Sequence, residues 1–374
     1  MSLKVSEKVV VQRPHFPQLF ENLVQQGYQI VGPTVQDKAI VYAELESPDE
    51  LPEGWADEQN NAFYRLKKRE DKTLFSYVVG PHSWKNLLFP SNLQMWRTDA
   101  GLTSFEESSE PPPKYAFLGV RACELHAMQI QDKVFLQGSY ADSDYRKKRE
   151  NLFIVAVNCT QPGGTCFCSS MQTGPQVESG FDIALTEVCE GALHYFVAEA
   201  GSESGLKVLQ QLPHETSSPT EIEKAASLVK QAGEQMGRTL DTEGLKELLY
   251  RNTENSRWEE VANRCLTCAN CTMVCPTCFC SRVEDVTDLD GAGAERWRKW
   301  DSCFTVEYSY IKGGAVRPSV HSRYRQWLTH KLGAWYDQFG TSGCVGCGRC
   351  ITWCPVGIDL TEEARAIRQS ELSR

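Results

Sequence analysis

Two near-continuous apolar segments, at 114–120 and 151–157, flank a stretch with the apolar spacing of a helix. That helix is predicted at 124–136, and a second, charged helix is predicted at 142–150. Strands that are apolar on both faces and alternate with helices are typical of a parallel sheet covered on both sides. The pattern therefore predicts an α/β unit with a mainly parallel sheet.

Shorter periodic segments complete this half of the chain and lead into a helical region. Further helices are predicted at 16–26, 220–236, 241–250 and 317–335, and further strands at 28–31, 39–43, 74–79, 181–185 and 193–198. A turn is predicted at Gly32-Pro33, because this dipeptide commonly interrupts regular structure. We predict an α+β protein with an α/β domain at 1–212, a helical connector at 213–254 and a further domain at 255–374.

Two cysteine runs in the last domain carry the most specific chemical pattern of the chain. Each has the spacing C-x2-C-x2-C-x3-C-P, which is typical of bacterial ferredoxins with two [4Fe–4S] clusters. Because the residue before proline is held extended, the last cysteine of each run is predicted to bind the cluster of the other run. The predicted ligand sets are Cys265, Cys268, Cys271 and Cys354 for one cluster, and Cys344, Cys347, Cys350 and Cys275 for the other. A pair of zinc sites is the weaker alternative, because zinc usually takes separated cysteine pairs.

The last domain is thus predicted to be a ferredoxin-like domain with a long insertion at 276–343. Gly346 and Gly348 are predicted to leave room where the backbone approaches sulfur. The insertion contains a basic, aromatic helix at 317–335, which we expect to pack beside negatively charged clusters or to face a partner subunit.

Four further cysteines are predicted to meet at one edge of the N-terminal sheet. Cys123 and Cys159 follow the two apolar strands, at the carboxyl ends where open α/β sheets bind ligands. Cys166 and Cys168 lie on the glycine-bearing loop that comes directly afterwards. These four residues are candidates for a third [4Fe–4S] cluster, with a structural zinc site or ordinary buried thiols as the alternatives.

The cysteines that remain are Cys189, Cys278, Cys280 and Cys303. The sequence Thr-Cys-Phe-Cys-Ser occurs twice, at 165–169 and at 277–281. Cys278 and Cys280 follow the first cysteine run directly, so they either pack close to a cluster or join Cys303 in a metal site.

The composition favours a reducing compartment and argues against several functions. Sixteen cysteines in 374 residues are too sparse for a disulfide scaffold. The amino-terminal residues show no apolar signal segment, and no apolar run approaches the length of a membrane span, so we expect a cytoplasmic protein without direct membrane insertion. The net charge of −10 argues against nucleic-acid binding. Neither a dinucleotide-binding nor a hydrolytic motif occurs, so the sequence shows no nucleotide fingerprint and no hydrolytic site.

Several short sequences are spread along nearly the whole chain: Gly-Pro-His-Ser-Trp-Lys at 80–85, Gly-Val-Arg-Ala-Cys at 119–123, Cys-Pro-Thr-Cys-Phe-Cys at 275–280 and Trp-Asp-Ser-Cys at 300–303. In these the chain resembles the β (iron–sulfur) subunits of cytoplasmic [NiFe] hydrogenases of the sulfhydrogenase type. It is also similar to their relative, the A subunit of anaerobic sulfite reductase. One departure from the family pattern is Glu124, where an aspartate is expected.

The resemblance implies a redox subunit that is not itself catalytic and that passes electrons between a flavin subunit handling NAD(P)H and a catalytic subunit. The catalytic partner would be a [NiFe] hydrogenase or, as the alternative, a sirohaem sulfite reductase. Two alternatives from other classes are a self-contained flavin-dependent oxidoreductase fused to a ferredoxin domain and a zinc-structured interaction protein.

Overall fold

The computed structural model describes residues 3–99, 101, 104–107, 112–289, 291 and 293–373. Its strands are β1 (Lys8–Gln12), β2 (Gln29–Gln36), β3 (Ala39–Glu44), β4 (Trp55–Asn60), β5 (Phe63–Lys68), β6 (Asn92–Asp99), β7 (Phe105–Glu107), β8 (Tyr115–Val120), β9 (Phe153–Val157), β10 (Ile183–Glu190), β11 (Leu193–Ala200), β12 (Glu215–Thr216), β13 (Ser281–Thr287), β14 (Gly293–Trp300), β15 (Tyr310–Ile311) and β16 (Gly314–Ala315). Its α-helices are α1 (Phe16–Gln25), α2 (Lys85–Leu88), α3 (Ala122–Phe135), α4 (Ser143–Glu150), α5 (Glu203–Gln210), α6 (Pro219–Glu234), α7 (Leu245–Arg251), α8 (Arg257–Ala262), α9 (Asn270–Met273), α10 (Val320–Thr329), α11 (Trp335–Phe339), α12 (Arg349–Thr352) and α13 (Leu360–Leu372). Short 3₁₀ turns lie at Arg13–His15, Pro48–Glu50 and Glu307–Ser309, and a π-helical segment, His330–Ala334, joins α10 to α11.

An eight-stranded sheet forms the core of the N-terminal half, with the strand order β12-β1-β11-β10-β9-β8-β2-β3. Its four central strands, β10, β9, β8 and β2, run parallel to one another, whereas the strands on either side are antiparallel to their neighbours. Every residue of β9 is buried, as expected for a strand covered on both faces. The predicted α+β class with a parallel-containing sheet is confirmed, and the parallel part lies at the centre of the sheet.

The predicted turn at Gly32-Pro33 is wrong, because both residues lie within β2. The chain turns instead at Asp37 and Lys38, which adopt left-handed φ angles of 50° and 64°. Strand β2 pairs with β8 only as far as Val31, so the missing N–H of Pro33 costs no hydrogen bond to β8.

The predicted strand at 74–79 is wrong, because the backbone bends at residues 74, 75 and 77 and the segment joins no sheet. The N–H groups of Leu74 and Phe75 donate to the buried carboxylate of Glu187, at 2.7 and 2.8 Å, and the Val78 N–H donates to Asp57. Side-chain carboxylates replace the neighbouring strand as acceptors, which an apolar sequence pattern does not reveal.

The predicted insertion packs on the N-terminal half of the chain. Strands β13 and β14 form a hairpin, and β14 pairs with β6 in a four-stranded sheet of order β13-β14-β6-β7. The predicted basic helix is present as α10, the π-helical segment and α11. The domain boundaries stay predictions, although this shared sheet joins the first predicted domain to the last.

A second hydrophobic core lies beneath the cysteine runs. It brings together α7, α8, α10 and α13 around the fully buried side chain of Trp258. Cys344 and Cys354 belong to the same core, so the predicted ligands are held by packed helices. Across the described residues, no helix combines the length and the apolar character that crossing a bilayer requires.

Candidate iron–sulfur centres

The two cysteine runs fold into loops with the same unusual backbone. Thr267 and Ala269 in the first loop have φ angles of 51° and 65°, and Gly346 and Gly348 at the equivalent positions have 66° and 74°. The left-handed conformation is costly for residues with a side chain, so the first loop keeps it at the expense of strain. The two loops share this backbone geometry although their side chains differ. This indicates that each loop is shaped to arrange its three cysteines around a common centre.

Backbone N–H groups in both loops point at the first cysteine sulfur. The Gly346 N–H donates to Cys344 Sγ across 3.4 Å, and the Thr267 N–H makes the equivalent bond to Cys265. The Ile358 N–H likewise donates to Cys354 Sγ across 3.3 Å. Such bonds stabilise a negatively charged sulfur, as metal-bound thiolates require.

Gly346 and Gly348 make room for backbone atoms, whereas the sequence suggested room for sulfur. A Cβ atom on Gly346 would lie 2.6 Å from the carbonyl oxygen of Phe167, and one on Gly348 would lie 2.3 Å from that of Thr165. The glycines therefore let the second loop press against the segment that carries Cys166 and Cys168.

Cys354, from the second run, lies with the first three cysteines of the first run. A cavity is lined by Cys265, Cys268, Cys271 and Cys354. Burial raises the pKa of Cys271 well above its ordinary value, and nearby Cys265, Cys354 and Cys268 raise it further.

Cys275, from the first run, lies with the second run. Burial raises the pKa of Cys350 well above its ordinary value, and Cys344, Cys347 and Cys275 add to that rise. Burial also raises the pKa of Cys344, to about 12. Thiols that are disfavoured as separate anions become stable thiolates when a metal shares their charge.

The four N-terminal cysteines also come together at one edge of the large sheet. Cys123 lies in the first turn of α3, directly after β8, and Cys159 follows β9. Burial raises the pKa of Cys168, and nearby Cys166 and Cys159 raise it further, whereas Cys168 does the same for the half-buried Cys123. Because the two parallel strands end at the same edge, their following residues face the loop that carries the other two thiols.

The N-terminal cysteines and the second run are direct neighbours. The Phe167 N–H donates to the Gly346 carbonyl across 2.8 Å, and Cys166 Sγ lies 3.8 Å from the Cys347 carbonyl oxygen. Cys350 lines the cavity of the first set as well. The three cysteine sets therefore follow one another in a row, with the second-run set in the middle.

A buried ion pair joins the N-terminal cysteine set to the second-run set. Arg349 and Glu124 pair with side chains that are only 4% and 1% exposed. Glu124 follows Cys123, and Arg349 lies between Cys347 and Cys350, so the pair connects two candidate cluster loops. The sequence showed the acidic residue but gave no signal for its partner 225 positions later in the chain.

Lys331 is the functional residue that sequence reasoning missed. From the π-helical segment its buried ammonium donates to Cys275 Sγ at 3.2 Å, to Cys278 Sγ at 3.5 Å, to Thr277 Oγ1 at 3.2 Å and to the Gly343 carbonyl at 3.1 Å. Burial lowers the pKa of Lys331, but Cys275 and Cys278 outweigh this effect and hold it well above its ordinary value. A fixed positive charge thus lies against a ligand of the second-run set.

Replacing Lys331 with methionine should lower the reduction potential of the cluster bound by the second-run set. Removing a positive charge that lies 3.2 Å from the Cys275 sulfur disfavours the added electron, by an amount on the order of 100 mV at an effective dielectric of about 20. Redox titration followed by EPR measures the shift, and Lys331→Arg, which keeps the charge, serves as the control. An unchanged potential in the methionine variant would contradict a role of this charge.

Within the described ranges, no group of three or more His, Cys, Asp or Glu side chains is arranged to hold a single metal ion. An iron–sulfur cube places its four cysteine ligands on four different irons, so its ligands need not converge on one point.

Comparison with known proteins places the cysteine runs in a known class of domain. Residues 264–358 match the model of the 4Fe-4S dicluster domain. Over 368 residues the chain is 27% identical to "Sulfhydrogenase 2 subunit beta" of Pyrococcus furiosus, covering 95% of this chain and 96% of that protein. No solved structure was found that matches the chain. The resemblance to hydrogenase β-type iron–sulfur subunits, predicted from short sequences, is confirmed along nearly the full length.

Proposed function

We propose that this protein is the iron–sulfur electron-transfer subunit of a [NiFe] hydrogenase complex. The observation that carries the proposal is the likeness to a sulfhydrogenase β subunit over almost the whole of both chains, together with the 4Fe-4S dicluster domain. Likeness outside the cysteine runs matters most here, because a dicluster domain alone occurs in many redox proteins.

The residues present fit two [4Fe–4S] clusters with crossed ligands and a third in the N-terminal half. The proposed ligands are Cys265, Cys268, Cys271 and Cys354, then Cys275, Cys344, Cys347 and Cys350, and finally Cys123, Cys159, Cys166 and Cys168. The bound clusters would supply one-electron redox chemistry. The chain's own contribution is to hold the three sets in one row, to donate N–H groups to sulfur and to place Lys331 beside the middle set.

The row has one end close to the surface. Cys268 is exposed, and the neighbouring Leu266 is 61% exposed. The middle set is enclosed, with Cys275 and Cys344 each 8% exposed. Electrons therefore have an entry or exit at the first-run set and pass through the middle set toward the N-terminal sheet.

The partners we propose are a flavin subunit that oxidises or reduces NAD(P)H and the catalytic [NiFe] subunit, in the cytoplasm. Two partners suit a relay with two ends, and the net charge of −10 suits docking onto basic surfaces. The relative is named as a β subunit, and that name implies a complex of several subunits.

Anaerobic purification of the tagged chain from its native host tests the proposal. We expect co-purification of nickel and of a flavin subunit, with hydrogen-dependent reduction of NAD(P)⁺ by the isolated complex. Co-purification of sirohaem with sulfite reduction would overturn the hydrogenase assignment. Bound flavin and turnover by the isolated chain would overturn the assignment of a non-catalytic subunit.

Replacing Cys168 with alanine should remove about four iron atoms from the chain, because it deletes one of four ligands to the proposed N-terminal cluster. The two clusters of the cysteine runs should keep their EPR signals. Iron and sulfide analysis measures the loss, and Cys189→Ala, on β10 and apart from the three sets, is the matched control. Equal iron in both variants would leave the N-terminal thiols as packing residues.

A further inference from the structure

Three cysteines outside the proposed clusters meet at the base of the β13–β14 hairpin. Cys278 and Cys280 precede β13, and Cys303 follows β14. The Asp301 N–H donates to the Cys280 carbonyl across 2.8 Å, which continues the hairpin pairing and brings Cys303 alongside. The Cys303 thiol donates a hydrogen bond to Cys280, so the two sulfurs are direct neighbours.

All three thiols line one cavity. Its walls include Trp327, Trp335 and the ammonium-bearing Lys331. None of the three side chains is fully enclosed, so a group can reach them from outside. The arrangement thus combines soft sulfur donors with an apolar wall.

Two buried lysines face this group, and among the residues that the structure describes neither one pairs with a carboxylate. Lys85 and Lys331 are each only 4% exposed. The Lys85 ammonium donates to the Met273 carbonyl at 3.2 Å and lies 3.7 Å from the centre of the Trp300 ring. Within the described ranges, the anionic groups that act on the two ammoniums are thiols.

Burying two ammoniums is costly unless negative charge lies against them. The second-run set, through Cys275, accounts for one of these charges. Cys278 Sγ accepts from the same Lys331 ammonium at 3.5 Å, so a metal-bound thiolate at Cys278 would add to the balancing charge. Burial lowers the pKa of Lys85 to about 8, so Lys85 alone does not require a further anion.

The repeated Thr-Cys-Phe-Cys-Ser sequence points to the same conclusion. Its first copy brings Cys166 and Cys168 to the N-terminal set, against the Gly346 carbonyl. Its second copy brings Cys278 and Cys280 to this cavity, and Thr277 Oγ1 donates to the Gly343 carbonyl across 2.6 Å. The two copies thus lie against the second cysteine run at two different points.

We propose that Cys278, Cys280 and Cys303 bind a fourth iron–sulfur cluster, with one position left to a ligand other than cysteine. Each thiol would lose its proton to solvent as its sulfur binds iron. Cys278 Sγ and Cys275 Sγ both accept from the Lys331 ammonium, so this cavity borders the second-run set. The inference rests on the proposed iron–sulfur chemistry but not on the identity of the catalytic partner.

The test compares the full chain, purified anaerobically, with its Cys280→Ala and Cys303→Ala variants. We expect each variant to lose about four iron and about four sulfide atoms per chain, or about three iron atoms if the centre is a three-iron cluster. The EPR signals of the ferredoxin-type clusters should persist. Cys303→Ser is a conservative second variant, and Cys189→Ala is the control. Circular dichroism confirms that each variant is folded.

Three results would overturn the proposal. Iron equal to that of the Cys189→Ala control would show that the cavity binds no cluster. Zinc released in place of iron would show a different kind of metal site. Loss of the ferredoxin signals along with the iron, in both Cys303 variants, would show that these cysteines support their neighbours by packing. The partner-binding test of the proposed function is separate, and none of these results decides it.

Discussion

Replacing Cys275 with alanine should abolish the cluster of the second cysteine run, although Cys275 belongs to the first. The structure surrounds Cys350 with Cys344, Cys347 and Cys275, and it places Cys354 with the first-run cysteines. Losing one of four ligands should remove about four iron atoms per chain, or about one when a three-iron cluster remains. Quantitative EPR of the reduced variant, with iron analysis, measures which signal disappears.

The reciprocal variant, Cys354→Ala, is the matched control and should abolish the other signal. The two signals can be told apart because Lys331 lies against Cys275, so Lys331→Met should shift the potential of the second-run cluster more strongly. The crossed assignment fails if the signal lost in Cys275→Ala is the one that Lys331→Met leaves unshifted. It also fails if both cysteine variants lose the same signal.

The cysteine runs could be predicted from sequence because their spacing is short and directly determines the loop. Three thiols within seven positions can reach one cluster whatever the rest of the chain does. Predicting the N-terminal set required one more inference, which is that neighbouring parallel strands end at a common edge of the sheet. Cys123 and Cys159 follow β8 and β9, which do pair in parallel, so both residues lie at that edge.

Features that depend on contacts distant in sequence could not be predicted. Lys331 was one basic residue among several in a predicted helix, and only the fold brings it to Cys275. The segment at 74–79 has the apolar composition of a strand, but its N–H groups go to the Glu187 and Asp57 carboxylates. A hydrophobic pattern reports burial, whereas the choice of hydrogen-bond acceptor is made by tertiary structure.

The strand pairing of the insertion could not be predicted from the sequence either. Its length indicated that it was more than a compact ferredoxin loop, but its pairing partner, β6, lies about 200 positions earlier in the chain. Through that sheet and through Lys331, the insertion connects the N-terminal half to the second-run set. Its role is therefore to position the clusters as well as to extend the chain between the two runs.

Replacing Glu124 with glutamine should destabilise the folded protein by about 3–5 kcal/mol, because it leaves the buried Arg349 guanidinium without its anion. The two side chains are 1% and 4% exposed, so solvent cannot replace the lost charge. Glu124 also accepts the Trp84 N–H at 3.3 Å, and Arg349 donates to the Gly80 carbonyl at 3.2 Å, so the pair fixes the contact between α3 and α12. The midpoint of anaerobic urea unfolding, followed by cluster absorbance and by tryptophan fluorescence, measures the change.

Two comparisons separate this ion pair from a general effect of removing a carboxylate. Asp337→Asn breaks the solvent-exposed pair with Lys246 and should change the midpoint little, since exposed pairs contribute little. The double variant Glu124→Gln/Arg349→Met should recover part of the loss, because it removes the unpaired charge that the single variant buries. If Glu124→Gln unfolded at the wild-type midpoint, the pair would not hold the N-terminal set against the second cysteine run. The contact between the two sets would then depend on the close packing of Gly346 and Gly348 against the 165–168 segment and on its hydrogen bonds, such as that from the Phe167 N–H to the Gly346 carbonyl.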